Sequence, residues 1–133
     1  MTSIIPLAAA FAPLLIWPIE VFLPYPYLIE ELLKAILIYF IIDIPGKSFQ
    51  VKLAIISGFL FAFSETIMFI FNLSSKGDIF TLLTRLIVTI PLHVGTFLII
   101  LLPTFKNKWL IILGLWAAIV IHYFFNLAVA SIN

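Results

Sequence analysis

Long apolar runs alternate with short polar breaks along this chain. Five runs are long enough, at roughly 17–25 mostly apolar residues, to be read as membrane-spanning helices. They cover about residues 4–23, 26–44, 52–73, 82–102 and 109–130. The breaks between them read "PYPY", "DIPGKSFQVK", "SSKGD" and "PTFKNK", and each holds Pro or Gly, the residues that end helices and make turns. The pattern predicts an all-α polytopic helical bundle, with residues 1–133 forming a single transmembrane domain. No internal repeat and no soluble domain is visible. The first run contains Pro6, Pro13 and Pro18, so a helix there must do without several backbone donors.

Composition supports this reading. Of 133 residues, 65% are hydrophobic and 10% charged, against roughly half and a quarter in soluble domains. A chain of this length has no water-soluble core large enough to hide that much apolar surface, so an integral cell-membrane protein is expected. The formal charge of +1 argues against a nucleic-acid partner. With no cysteine, thiolate metal sites and a cysteine nucleophile are excluded. The opening "MTSIIPLAAAFAPLLIW" lacks the basic start of a signal peptide and reads as the first span. Lys47, Lys52, Lys106 and Lys108 fall on the side of the N-terminus, while the opposite side has Lys76 and Arg85 at most. The positive-inside rule then predicts a cytoplasmic N-terminus and an extracytoplasmic C-terminus.

The informative residues are the polar ones inside the runs, since a charge in the bilayer centre costs at least about 2.5–3.5 kcal/mol on insertion scales. The second run carries Glu30, Glu31 and Lys34, the third Glu65, the fourth Arg85 and His93, and the fifth His122 and Asn126. At about 1.5 Å rise per residue, Glu30, Glu31, Glu65, His93, His122 and Asn126 are expected within roughly 6–14 Å of the outer face. Four helices thus deliver polar groups to one layer. Lys34 is three residues from Glu31 and four from Glu30, so it can partly neutralise either. His122 and Asn126 share a face at i,i+4. Gly58 and Ala62 form a small-xxx-small pair leading to Glu65, which lets a neighbouring helix approach closely. Pro91 is expected to bend the fourth helix beside His93. Arg85 reads as an interface anchor, and Glu20, near the end of its run, as interfacial.

This set of groups supports two chemistries. In one, a glutamate acts as general base on water while a histidine and Asn126 donate hydrogen bonds to the developing oxyanion. In the other, Glu30, Glu65, His93 and His122 supply the ligands of a divalent metal such as zinc, which activates the water. No HExxH spacing marks a metal site.

The motifs "EELLK", "FAFSE", a histidine in the next run and "HYFFN" follow one another on successive apolar segments. This ordered set resembles the PrsW-type intramembrane proteases, relatives of the CAAX prenyl proteases and bacteriocin-processing enzymes of the ABI superfamily. The resemblance covers about residues 28–126. Lysine and glutamate stand in the PrsW-like way at Lys34 and Glu65, where the CAAX branch has arginine and histidine. The resemblance implies that Glu30 or Glu31 is the base, Glu65 helps hold the water, His122 and Asn126 bind the oxyanion, and His93 completes the site. The implied substrate is a membrane-anchored peptide or protein, cleaved near its extracytoplasmic end after local unwinding, with "SSKGD" and the first run as candidate entry points. The bilayer and a second copy of the chain are the other expected partners. PrsW-type enzymes are often labelled metalloproteases, so both chemistries stay open.

Two other functions are compatible with buried ionisable groups. A small proton-coupled transporter would spread such groups across the whole membrane depth, whereas here they gather toward one face. A non-catalytic scaffold for transmembrane partners has no need of intact glutamates and histidines.

Overall fold

The computed structural model describes residues 3–72 and 79–130. Among them are five α-helices and two 3-10 turns, with no strand: α1 Ile4–Glu20, α2 Pro26–Ile41, α3 Lys47–Asn72, α4 Ile79–Leu101 and α5 Ile111–Ala130, with 3-10 turns at Leu102–Phe105 and Lys108–Leu110. The protein is an all-α helical bundle. The break "SSKGD", with Lys76, lies outside the described residues.

Among the described residues, three segments are long and apolar enough to cross a membrane, Lys47–Phe71, Leu83–Phe105 and Lys108–Val129. The first two helices are shorter than the sequence runs imply. α1 has 17 residues and α2 has 16, and 16 residues at 1.5 Å rise span about 24 Å against a hydrocarbon core of about 30 Å. Turn chemistry shortens them. α1 continues through Pro13 and Pro18 but ends before the "PYPY" turn. α2 starts on Pro26, whose fixed φ suits a first helical position. It ends before Pro45 and Gly46, and Gly46 takes φ +94°, a left-handed conformation that favours glycine.

α3 starts five residues earlier than the sequence predicts, because "KSFQV" belongs to its first turns. The amides of Phe49 and Gln50 donate to the Gly46 carbonyl at 2.9 and 3.0 Å. The Gln50 side chain donates back to the carbonyls of Ile42 and Ile44 at 3.1 and 2.6 Å, satisfying acceptors at the end of α2. Between α4 and α5, Asn107 caps the second 3-10 turn by accepting from the Trp109 amide at 3.0 Å. α4 runs unbroken through Pro91.

Packing closes into a ring in the order α1, α3, α4, α5, α2 and back to α1, with α2 also reaching α4 across the middle. The apolar core includes Ile38, Ile41, Ala54, Phe61, Phe97 and Ile100. Burial is otherwise inverted relative to a soluble protein. Phe22, Leu15, Ile87, Phe71 and Trp109 are largely exposed, whereas Glu31, Lys34 and His93 are completely buried. An apolar outside around a charged inside is what a bilayer solvent requires.

Two glycines set the helix spacing. A Cβ on Gly58 would lie 2.7 Å from the Val94 Cα and 3.0 Å from the His93 carbonyl oxygen. The expected close approach at the small face of α3 is therefore made by α4, at the turn that carries His93. Gly114 does the same between α5 and α4, where a Cβ would meet the Ile100 Cα at 2.7 Å.

Candidate functional site

The middle of the bundle holds two polar groupings that share a wall. The first is built around Glu31 on α2. Lys34, one turn on, donates from Nζ to Glu31 Oε1 at 2.6 Å and to Thr96 Oγ1 of α4 at 2.9 Å. Its ammonium lies 5.1 Å from the centre of the Phe61 ring. The Thr96 hydroxyl in turn donates to the His93 carbonyl at 3.2 Å. The same Glu31 oxygen lies 2.7 Å from His122 Nδ1 of α5. An ionised carboxylate can only accept, so Nδ1 carries the proton and Nε2 is left toward Glu30 Oε2, 3.8 Å away. Three helices are thus joined through one carboxylate.

The second grouping is built around Glu65 on α3. Its Oε2 lies against His93 Nε2, and its Oε1 receives Arg85 Nη2 at 3.4 Å. The Arg85 guanidinium stacks on the Phe69 ring, 3.4 Å from its centre, where a cation meets the negative face of the ring. Arg85 is therefore more than the interface anchor its position suggests. Glu30, next to Glu31 but about 100° further round the helix, turns to this second grouping. Ligand-type atoms of Glu30, Glu65 and His93 all lie within 4.8 Å of one another. His93 Nε2 and Glu65 Oε2 are in direct contact. Glu30 Oε2 and His93 Nδ1 are buried without a hydrogen-bond partner.

The two groupings meet at the histidines, whose rings are perpendicular with centres 5.5 Å apart. Tyr27 closes one flank, its ring 5.9 Å from that of His122. A cavity of about 400 Å³ opens beside the histidines between the end of α3, the start of α4 and the end of α5. Glu65, Arg85, His93, His122 and Asn126 give it polar positions, and Phe69, Phe80, Val88, Leu92, Phe125 and Val129 make it apolar elsewhere. Asn126 is exposed on this wall, one turn beyond His122.

The structure therefore brings together Glu30, Glu31, Lys34, Glu65, Arg85, His93 and His122, with Asn126 on the adjoining cavity wall. Of the four residues considered as metal ligands, Glu30, Glu65 and His93 converge, while His122 is directed to Glu31. Two further residues join the site. Thr96 holds Lys34, and its signal lies in the polar stripe Thr89, His93, Thr96, which falls on one face at i, i+4 and i+7. Glu20 ends α1 with one buried, unpartnered oxygen, close enough to Glu30 and Glu65 to feel their charge. Its signal is the shortness of the "PYPY" turn, which keeps the end of α1 level with the start of α2.

No family model, no curated protein and no solved structure matches this chain.

Proposed function

We propose that this protein is an intramembrane endopeptidase of the PrsW type, hydrolysing a peptide bond in or near a membrane-anchored segment with glutamate-activated water. One observation carries the reading: Glu30 holds a buried, unpartnered carboxylate oxygen facing Glu65 and His93, while its neighbour Glu31 is tied through Oε1 to both Lys34 and His122 and leaves only Oε2 without a partner. Adjacent carboxylates kept in such different environments are suited to different tasks. Glu31 orients and Glu30 reacts.

In this mechanism a water lies between Glu30, Glu65 and His93. Glu30 takes one of its protons as the oxygen attacks the peptide carbonyl carbon. The carbonyl oxygen becomes anionic and receives a hydrogen bond from the Asn126 amide, while Glu31 holds the His122 ring in place from the Nδ1 side. When the carbon–nitrogen bond breaks, the proton on Glu30 passes to the leaving amine. The cavity walls of Phe69, Phe80, Val88 and Phe125 suit an apolar stretch in extended form, since a helical segment keeps its carbonyls shielded. The proposal includes a cytoplasmic N-terminus, which puts the site toward the extracytoplasmic face.

The test is purified protein in mild detergent, incubated with a pool of synthetic transmembrane peptides and read by mass spectrometry. Glu30→Gln is expected to lower cleavage by at least about 100-fold, the usual contribution of a general base, with an unchanged melting profile. Cleavage by Glu30→Gln at the wild-type rate would sink the assignment.

A further inference from the structure

We infer that the cavity beside the histidines selects a substrate segment with an acidic side chain, Asp or Glu, within about two residues of the bond to be cut, and that Arg85 receives its carboxylate. The inference deepens the hydrolytic reading of the same site. It rests on that reading for what happens to the bound segment, but not for whether the segment binds.

The direction of the Arg85 side chain is the starting point. A guanidinium near the end of a membrane helix ordinarily reaches for the headgroup layer and keeps its charge in water. Arg85 instead turns onto the cavity wall. Its guanidinium lies over the Phe69 ring, 3.4 Å from the centre, and its Nη2 is directed to Glu65 on α3. Packing on Phe69 holds the side chain in place, so little further ordering is needed when a partner arrives.

Most of its donors are unused. A guanidinium carries five N–H groups in a fixed fork. Among the described residues, the ion-pair partner of Arg85 is Glu65 Oε1, and 3.4 Å is long for a charge-assisted hydrogen bond, which runs about 2.7–2.9 Å. Glu65 is itself divided, because its Oε2 rests against His93 Nε2. The Arg85 side chain keeps 31% of its surface exposed, so a second carboxylate can reach the fork without displacing Glu65. The guanidinium between them offsets the repulsion of the two carboxylates. Other polar groups of the cavity are committed. The Thr84 hydroxyl donates to the Phe80 carbonyl at 2.9 Å, His122 Nδ1 is engaged by Glu31, and the Asn126 amide is assigned to the substrate carbonyl. Arg85 is the one permanent positive charge among the described residues that line the cavity.

Shape selects what carries the carboxylate. Phe69, Phe80, Val88 and Phe125 surround an apolar space of about 400 Å³ beside the guanidinium, so the fitting ligand is apolar with a single acidic group. Only the Glu65 carboxylate separates Arg85 from the water position, since one of its oxygens meets Arg85 and the other meets His93. An extended peptide advances about 3.3 Å per residue, so an acidic side chain on Arg85 lies one or two residues from the reacting carbonyl. The cavity lies between the end of α3, the start of α4 and the end of α5. A membrane-anchored segment that leaves the apolar layer there presents its first polar residues to this wall.

The experiment uses the full chain in mild detergent with fluorescent peptides that contain one apolar membrane segment. A single Glu, Gln or Lys is moved stepwise along the boundary of that segment. Binding is read by fluorescence anisotropy and cleavage by mass spectrometry. At one position, Glu is expected to bind about tenfold tighter than Gln, the usual worth of a hydrogen bond to a charged group. That preference should vanish in Arg85→Gln and turn toward Lys in Arg85→Glu. Where the peptide is cut, Arg85→Gln should raise KM for the Glu peptide about tenfold with kcat little changed. Equal binding of Glu and Gln peptides to the wild-type protein at every position overturns the proposal, and that comparison needs no variant. An equal fall in kcat for both peptides in Arg85→Gln also overturns it, because Arg85 would then act on Glu65 and not on the substrate. A Glu preference in binding without cleavage of any peptide leaves the recognition site and removes the protease. Cleavage without a Glu preference leaves the hydrolase and removes the recognition.

Discussion

Lys34 has no exposed surface and two hydrogen-bonded partners, Glu31 and Thr96, on two different helices. Its physical role follows from what its removal would leave behind. Lys34→Met strands the Glu31 carboxylate in the bundle interior, and breaking a buried pair from one side costs about 3–5 kcal/mol. Thermal unfolding in detergent should register that loss. The double variant Lys34→Met, Glu31→Gln should recover most of it, because the uncompensated charge is gone, and a single variant as stable as wild type would contradict the pairing. Thr96 acts through Lys34 and is a positioning residue. If hydrolysis occurs here, Thr96→Val should lower kcat several-fold with little change in KM, and Thr96→Ser should restore it. Equal effects of the two substitutions would mean that only packing matters at this position. The sequence makes the charged members of this cluster visible, because each is an anomaly in an apolar run. It hides Thr96, since a threonine in a membrane helix is no anomaly and commonly bonds its own backbone. It also does not show that Glu20 lies near Glu30 and Glu65, because interfacial position and packing against another helix look alike from one strand of sequence. The different surroundings of Glu30 and Glu31 are equally hidden, since they depend on which side of α2 faces α5 and which faces α3.

At the scale of helices, the site depends on how closely α3, α4 and α5 approach. Gly58 lets the backbone of α4 come within what would be 2.7 Å of a Cβ, at the turn bearing His93. The obstruction is main chain, so it cannot swing aside. Gly58→Ala should therefore cost about 1–3 kcal/mol, the usual range for overpacking, and should widen the gap between Glu65 and His93. Gly114→Ala should cost a similar amount at the α4–α5 contact. Gly95, whose Cβ would meet nothing within 4 Å, is the internal control, and Gly95→Ala should be neutral or slightly stabilising. Stability of the Gly58 variant equal to that of the Gly95 variant would contradict this packing. The contact at Gly58 is legible in advance from the Gly58–Ala62 spacing, and α3, α4 and α5 are legible as long apolar runs. The start of α3 is not. "KSFQ" reads as a polar loop, and it is helical because Gln50 folds back onto the carbonyls of Ile42 and Ile44, a contact between elements that no local pattern encodes. The ends of α1 and α2 are overestimated for a related reason: hydropathy measures apolar length, whereas the turns at "PYPY" and "DIPG" decide where helical geometry stops.

For the whole molecule, the physical question is how a bundle with three helices long and apolar enough to span, among the described residues, sits in a bilayer. α2 carries Glu30 and Glu31 on a helix about 24 Å long, short of the roughly 30 Å core. A short helix with buried charges and apolar neighbours on both sides is stable if surrounding helices shield it and its ends reach thinned or interfacial regions. The contacts of α2 with α1, α4 and α5 provide that shielding. The lysines give the expected direction: Lys47 and Lys52 follow α2, and Lys106 and Lys108 lie beyond α4, so the positive-inside rule predicts a cytoplasmic side for those ends. Because the chain has no cysteine, two single substitutions report on both points. Pro24→Cys precedes α2, and Ser48→Cys follows it, each at an exposed position. A membrane-impermeant maleimide added to intact cells should label Pro24→Cys and leave Ser48→Cys unmodified until the membrane is opened. Labelling of the two in the reverse order would invert the orientation and turn the site toward the cytoplasm. Labelling of both from outside would mean that α2 dips into the membrane and returns. The charged cluster would then sit on a re-entrant helix, a position that gives buried carboxylates a shorter path to water than a full span would allow.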